Sequence, residues 1–214
     1  MIDGIIKKGS AKDISNEVLD KNGKVKLMTA SEWTSFPWND FRLFCHFYAR
    51  YGIPTIELVE FLYDIIKDKL TIEIGAGTGD LGYHLRIPMT DSRQQEMPEV
   101  IKAYKNMQQP VIIYPDEVRK FDAIDAIRFY KPDIVIASWI SPYSPCETYY
   151  KSNPFGVKVE KVVDMVERFI LLGNIDSHGD MPIMKLNHQE LYAEWMVSRA
   201  KNQENNRIWI WSNL

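Results

Sequence analysis

The 214-residue sequence contains few of the residues that build disulfide frameworks and metal clusters. It has two cysteines, Cys45 and Cys146, which lie far apart in unlike contexts. His46 and His84 fall on predicted helices, and neither has a partner spaced for a metal ion. This pattern predicts neither a disulfide nor a metal site, and we expect reduced thiols.

The sequence also lacks a large excess of charge and a long hydrophobic run. A net charge of −3 and an isoelectric point near 5.9 give no general attraction to nucleic acid or to anionic membranes. A small molecule or a protein is therefore favoured as the binding partner. Residues 1–8 lack the apolar core of a signal peptide, and no apolar run approaches the ~20 residues needed to span a bilayer. We expect a cytoplasmic protein without a membrane partner, and its oligomeric state is left open.

Length and a hydrophobic content of 45% predict one substantial core, with or without an extension. Residues 1–52 begin with a polar arm that contains the turn signal Asn22-Gly23 and continue into an aromatic helix that includes Phe41 and Phe44. Residues 53–214 carry the alternating strand and helix patterns of an α/β domain. We therefore place a boundary near residue 52.

The most informative stretch is an apolar run at residues 70–74 that ends in three alternating glycines. The run suits a strand buried on both faces, because both even and odd positions can meet apolar neighbours. Gly75, Gly77 and Gly79 permit positive φ and remove each Cβ where a ligand could approach the backbone. A helix over residues 80–86 would then direct free N–H groups at the turn, which is typical of a nucleotide-type cofactor site.

The spacing Glu-x-Gly-x-Gly-x-Gly, from Glu73 to Gly79, resembles motif I of the class I S-adenosylmethionine-dependent methyltransferases. The resemblance implies a doubly wound, mostly parallel α/β sheet of Rossmann-like type, here with an N-terminal helical extension. It also implies S-adenosylmethionine as the cofactor, with Glu73 organising the loop near the methionine amino group.

Two other interpretations of the same glycines stay open. Residues 77–82 match the dinucleotide fingerprint G-x-G-x-x-G, which is a weak signal alone. It would require the strand to end at Ala76 and a ribose-binding acid near Glu96 or Glu99. The third interpretation is a structural turn that binds no ligand.

A second acidic residue is expected at the tip of the next strand. Residues 86–92 predict a short strand that ends in Asp91-Ser92. In a doubly wound sheet, a carboxylate there accepts hydrogen bonds from both ribose hydroxyls of a nucleoside. The alternative is a solvated turn aspartate.

A third acidic residue follows the third strand, which is formed either by residues 111–114 or by residues 117–118. The Asp122-Ala123 pair is similar to the acidic-small pair that holds the adenine amino group in many methyltransferases. Asp122 is equally suited to the N-terminus of a helix, where the helix dipole favours a negative charge.

Residues 134–139 predict another buried strand, whose exit should meet the substrate at residues 138–143. The segment resembles motif IV of amino-directed nucleic-acid methyltransferases, except that Ile140 and Ser141 replace its asparagine and first proline. Without the side-chain amide, methylation of a nucleobase amino group is disfavoured. A closer likeness is to a little-characterised methyltransferase-like group and covers residues 70–143. It matches Ser138 and Trp139 in addition to the acidic motifs, and it implies cofactor binding by the matched residues more firmly than any substrate.

The C-terminal part supplies the candidate proton acceptors. A helix over residues 159–166 leads to a fifth strand at residues 169–173, after which Asp176 and His178 should reach the same sheet edge. His178 has a free pKa near neutrality and is a candidate general base, and Asp176 and Tyr143 are further candidates. Residues 149–156 form an aromatic loop that is either a lid or an ordinary surface loop.

The end of the chain is predicted as a helix from Asn187 through Trp195 and Met196, followed by a terminal strand at residues 207–211. A class I methyltransferase usually ends in a seventh, antiparallel strand. Only one strand is predicted after Ala200, so the terminal hairpin is either truncated or completed by residues 181–186.

These patterns predict an S-adenosylmethionine-binding methyltransferase with an unidentified acceptor, for which a small molecule or a protein is favoured over nucleic acid. One alternative is a catalytically silent interaction protein with the same fold. A less favoured one is an NAD-dependent oxidoreductase.

Overall fold

The structure is a computed structural model that describes residues 11–143 and 153–213. Cys146 and the first half of the loop proposed as a lid, residues 149–152, lie outside these ranges. The strands are β1 Gly52–Ile53, β2 Thr71–Ile74, β3 Met89–Asp91, β4 Val118–Lys120, β5 Ile134–Ser138, β6 Arg168–Asn174, β7 Gln189–Leu191, β8 Val197–Ser198 and β9 Asn206–Ser212. The helices are α1 Ser15–Val18, α2 Ala30–Ser35, α3 Trp38–Phe47, α4 Ile56–Ile66, α5 Asp80–Leu85, α6 Pro98–Asn106, α7 Ala123–Tyr130, α8 Val159–Val163 and α9 Ile175–His178, with 3-10 turns at Gln94–Glu96, Pro182–Lys185 and Gln203–Asn205.

Seven strands form the central sheet in the order β4-β3-β2-β5-β6-β9-β7. The first five are parallel, and β9 is antiparallel to both of its neighbours. The chain winds outward from β2 in both directions, so the strand order reverses between β2 and β5. This is the doubly wound, mostly parallel α/β sheet predicted from the sequence, and ligands of such sheets bind at the reversal point.

Helices cover both faces of the sheet. On one face, α4 and α5 pack on Ile136, Ile170 and Ile208, and on the other α7 and α8 pack around Ile72 and Phe169. In α4 the Thr55 hydroxyl caps the helix by accepting a hydrogen bond from the Leu58 N–H. None of the helices in the described part of the chain has the length and apolar character needed to traverse a lipid bilayer.

The N-terminal extension has a core of its own that continues into the sheet domain. Trp33 and Phe44 are fully buried there and share this core with Ile53 and Val197. Strand β1 pairs with β8 in a small antiparallel ladder, in which Gly52 lies opposite Ser198. Residues near the expected boundary are therefore packed directly against the C-terminal part of the chain.

The C-terminal region differs from the sequence prediction. The helix expected from Asn187 through Met196 is wrong, because residues 189–191 form β7 and residues 197–198 form β8. The antiparallel strand pair is complete, since β9 lies between β6 and β7. Residues 182–185 form a 3-10 turn and contribute no strand. Of the two options for the third strand, the structure supports the later one, Val118–Lys120.

Candidate functional site

The glycine turn follows β2 directly and lies at the reversal point of the sheet. Gly75, Gly77 and Gly79 have φ values of 59°, 56° and 70°, in the left-handed region that favours glycine. A Cβ on Gly75 would also lie 2.6 Å from Cγ2 of Ile140, which follows β5. Both the backbone and the close approach of the β5 exit therefore require glycine at this position.

A cavity opens above this turn, at the carboxyl edge of the sheet. It is lined by nine of the ten residues predicted from the sequence as cofactor contacts: Glu73, Gly75, Gly77, Asp91, Ser92, Asp122, Ala123, Ser138 and Trp139. The tenth, Gly79, is instead the N-cap of α5. The cavity thus brings together residues from four separate stretches of the sequence.

Glu73 is the most deeply buried carboxyl group of the cavity, with 1% of its surface exposed. Burial is the main cause that raises its pKa, and with the smaller effects of the neighbouring Asp80 and Asp91 carboxylates the pKa is about 8. A hydrogen bond of 2.9 Å from the Gly82 N–H to Oε2 acts in the opposite direction. The raised pKa favours the protonated form near neutral pH, and a positively charged ligand would favour the ionised form.

Asp91 ends β3 and links the second strand to the glycine turn. Its Oδ2 accepts a 3.0 Å hydrogen bond from the Gly77 N–H, and its Oδ1 accepts one of 2.7 Å from the Arg93 N–H. The Tyr114 side chain lines the cavity with Asp91 and acts to lower the pKa of this carboxyl group. Burial raises the pKa of Asp91 despite these donors, and the side chain is only 7% exposed. Its geometry is that of a fixed acceptor, in contrast to a solvated turn aspartate.

Asp122 and Ala123 lie at the start of α7 beside the same cavity. The Asp122 carboxylate accepts a 2.9 Å hydrogen bond from the Ile124 N–H and so caps the helix. It is exposed on its other side, and Ala123 behind it is buried. Asp122 therefore caps helix α7, as one of the two interpretations expects. It also borders the cavity in which a ligand would lie.

The exit of β5 is strained at Trp139. This residue has φ of 55°, a left-handed conformation that costs about 1–3 kcal/mol in a non-glycine residue and is concentrated at functional sites. Its indole lies so close to the backbone of Gly52 that a Cβ there would clash with the indole Nε1. The contact connects the first strand of the extension to the wall of the cavity.

The three candidate proton acceptors do not line the cavity. His178 is 3% exposed, and its Nε2 and Nδ1 lie within 3.1 and 3.2 Å of the Ile140 carbonyl and the Asn174 N–H. Burial lowers its pKa. Its role is to tie β6 to the β5 exit. Asp176 accepts hydrogen bonds from two asparagine side chains on the surface, and the ring of Tyr143 lies near Lys158, outside the cavity.

Side chains from the segment between β3 and β4, residues 93–117, line the cavity beside the glycine turn, and we call this segment the roof. They include Gln95, Tyr104, Ile112 and Tyr114. A Cβ on Gly77 would lie 3.2 Å from Cδ1 of Ile112, whose N–H donates a 2.8 Å hydrogen bond to Gln95 Oε1. Gln95 in turn donates to the hydroxyl of Tyr104. Tyr104 and Tyr51 of the extension both line the cavity, so the roof and the extension border the same space.

A buried ion pair fastens the extension to the helix that follows the glycine turn. Arg50 Nε lies 2.7 Å from Asp80 Oδ2, with side chains 9% and 6% exposed. Asp80 also accepts hydrogen bonds from the Val25 N–H and the Thr78 hydroxyl. No local sequence pattern indicates this pair, because its two members belong to different units of the chain.

The dinucleotide interpretation lacks both of its structural requirements. Strand β2 ends at Ile74 and not at Ala76. Glu96 lies in a 3-10 turn, where it pairs with Arg93 and Lys120, and Glu99 lies in the first turn of α6. The acid at the tip of the neighbouring strand is Asp91, as the Glu-x-Gly-x-Gly-x-Gly alignment expects.

No protein-family model matches this sequence, and no curated protein matches it. Among solved structures, the chain is similar to an rRNA methylase from Streptococcus thermophilus, with 12% identity, a TM-score of 0.42 and coverage of 73% of this chain and 94% of that chain. It is also similar to a candidate RNA methyltransferase from Pyrococcus horikoshii, with 14% identity, a TM-score of 0.36 and coverage of 73% and 79%. A candidate methyltransferase from Escherichia coli has 13% identity and a TM-score of 0.33, with coverage of 74% and 85%. The fold described above rests on the strand order of this chain, independently of these likenesses.

Proposed function

We propose that the cavity binds S-adenosylmethionine and that the protein transfers its methyl group to an acceptor. The observation that supports this most directly is that Glu73, Asp91 and Asp122 surround one glycine turn at the reversal point of the sheet. The three carboxyl groups arrive in the chain order that the family resemblance implies.

Each acidic residue has a proposed partner in the cofactor. Glu73 binds the methionine amino group. Its carboxyl group is buried, and the cationic amino group would stabilise its ionised form. Asp91 accepts from the ribose hydroxyls, and Asp122 with Ala123 borders the adenine. Ser138 and Trp139 close the side on which the acceptor enters.

Methyl transfer from a sulfonium requires little of the protein beyond orienting the donor and the acceptor. The sulfonium supplies an activated methyl group, and catalysis rests on holding donor and acceptor in line in a site that excludes water. The roof formed by residues 93–117 and the extension suits that task, since it covers the glycine turn. The acceptor is proposed to be a small molecule or a protein.

The role of Glu73 is tested by binding two ligands that differ only in the amino-acid tail. S-adenosylhomocysteine carries the amino group, whereas 5′-methylthioadenosine does not. We expect Glu73→Gln to weaken S-adenosylhomocysteine about tenfold or more, the worth of a lost charge-assisted hydrogen bond, and to leave methylthioadenosine nearly unchanged. Glu60→Gln, on the exposed face of α4, is the matched control. Equal loss for both ligands would contradict the assignment of Glu73 to the amino group.

A further inference from the structure

Arg199 lies beside the mouth of the cavity in a position fixed by its neighbours. The guanidinium carbon of Arg199 is 3.7 Å from the centre of the Tyr51 ring. The backbone N–H of Arg199 donates a 3.0 Å hydrogen bond to the Tyr51 carbonyl. Tyr51 and the neighbouring Ser198 both line the cavity. Burial raises the pKa of the Tyr104 hydroxyl, and the positive charge of Arg199 opposes this rise. The guanidinium therefore also lies close to the roof.

A second arginine lies on the same side of the extension. Arg42 stacks over Trp38, with 5.9 Å between its guanidinium carbon and the ring centre. Trp38, Arg42 and His46 are four residues apart on α3 and therefore share one helix face. Burial lowers the pKa of His46, and the charges of Arg199 and Arg42 lower it further. The two guanidiniums thus act on one shared region.

This positive charge has no carboxylate counterpart in the described ranges, 11–143 and 153–213. Neither Arg42 nor Arg199 forms an ion pair there, whereas Arg50, which lines the cavity itself, is neutralised by Asp80. No ion pair within the described ranges therefore neutralises either guanidinium, although the whole chain has a net charge of −3. An anionic ligand group would therefore supply the missing partner.

We propose that Arg199, supported by Arg42, binds the anionic group of a small-molecule methyl acceptor, a carboxylate or a phosphate, whose accepting atom enters the cavity past Tyr51. This inference rests on the proposed methyl transfer. The cation–π contact with Tyr51 holds the Arg199 guanidinium in place, and the N–H groups of a guanidinium match both oxyanions in a bidentate manner. Tyr51 and Tyr104 line the same cavity as Glu73 and Asp91, so an acceptor that extends from Arg199 to the cofactor has to fit among these side chains, which favours a small molecule over a macromolecule.

The test measures anion binding separately from cofactor binding. Benzoate, phenyl phosphate and the neutral isostere benzamide are titrated into the full chain, with and without S-adenosylhomocysteine, and binding is followed by ligand-observed NMR. Arg199→Met and Arg199→Lys are compared with Arg119→Met, a variant on an exposed position of β4. The Lys variant preserves the charge and loses the bidentate fork, and so provides a second variant if the Met variant fails to fold.

We expect at least one anionic probe to bind the unaltered chain and Arg119→Met, and benzamide to bind neither. Arg199→Met should weaken the anion about tenfold or more, and Arg199→Lys by a smaller factor. The anionic probe that binds more tightly shows whether the anionic group of the methyl acceptor is a carboxylate or a phosphate.

Several results would overturn the proposal. One is that benzamide and benzoate bind equally well. Another is that anion binding is unchanged in both Arg199 variants. A third is that a short single-stranded RNA binds and neither small anion does. A tenfold loss of S-adenosylhomocysteine affinity in Arg199→Met would also overturn it, because Arg199 would then hold the cofactor carboxylate. Failure of the unaltered chain to bind S-adenosylhomocysteine would instead refute the proposed function, and this titration is read independently of the anion titrations.

Discussion

The backbone N–H of Gly77 donates a 3.0 Å hydrogen bond to the Asp91 carboxylate and so joins the glycine turn to the tip of the neighbouring strand. The bond holds the turn open towards the cavity. It also fixes the carboxylate before any ligand arrives. Substrate sites are effective when their polar groups are oriented in advance, because less ordering is then required on binding.

Replacing Asp91 by asparagine should weaken nucleoside binding. The amide has one acceptor oxygen, so it cannot serve both the Gly77 and Arg93 N–H groups and a ribose. We expect S-adenosylhomocysteine affinity to fall about tenfold to hundredfold, as calorimetry would measure it. Asp125→Asn, on the exposed surface of α7, should change nothing. Undiminished affinity in a folded Asp91→Asn protein would remove Asp91 from the site.

In the absence of added ligand, Glu73 should make the protein less stable as the pH rises. The folded-state pKa is raised from 4.5 to about 8 by burial, so the unfolded chain loses this proton at lower pH than the folded chain. Between these values the folded state binds more protons, and the free energy of unfolding falls by up to ~1.4 kcal/mol per pH unit from this group. The stabilisation is complete below the unfolded value and is lost as the pH passes through about 8.

Urea denaturation of the unaltered protein, Glu73→Gln and Glu60→Gln, at a series of pH values across this window, tests the effect. The Glu73→Gln protein should lose stability less steeply than the other two. Identical slopes for all three proteins would mean that Glu73 is ionised in the folded state throughout the window.

The Arg50–Asp80 pair should be essential for attachment of the extension. Asp80→Asn leaves a buried guanidinium without its counter-charge, which typically costs about 3–5 kcal/mol of unfolding free energy. Glu167→Gln breaks an exposed pair with Lys69 and should cost less than about 1 kcal/mol. Chemical denaturation measures both values. A loss in Asp80→Asn no larger than in Glu167→Gln would show that the buried pair is replaceable by solvent.

The Tyr114 hydroxyl should hold the roof in place. Tyr114→Phe removes the hydroxyl that acts on Asp91 and preserves the ring, so we expect faster amide exchange over residues 94–114 and at Gly77. Tyr63→Phe, on the exposed face of α4, should leave exchange there unaltered. Hydrogen exchange followed by mass spectrometry makes the comparison. Unchanged protection in Tyr114→Phe would assign the roof to packing of Ile112 alone.

The centre of the fold could be predicted from the sequence because its signals are local. The run at residues 70–74, the glycines after it and the acid at Asp91 each depend on neighbours within a few positions. Strand β5 is similarly continuous in apolar residues, with four of its five positions buried. These signals also determine the reversal point of the sheet, and with it the location of the cavity.

The parts that could not be predicted depend on contacts between distant segments. Strand β7 has three residues, too few to show alternation, and is fixed by pairing with β9 and by the hydrogen bond from Trp209 Nε1 to Glu190. The helical spacing of Leu191 and Trp195 was outweighed by that pairing. The roof likewise depends on the contact of Ile112 with the glycine turn, across 35 positions of sequence.

The central claim is tested most directly by isothermal titration of the full chain with S-adenosylhomocysteine, with NAD⁺ as the comparison ligand. Saturable binding of one S-adenosylhomocysteine per chain, weakened by Asp91→Asn and absent for NAD⁺, is the predicted result. No saturable heat with S-adenosylhomocysteine in a folded sample, or NAD⁺ binding that depends on Asp91, would contradict the assignment of the cavity.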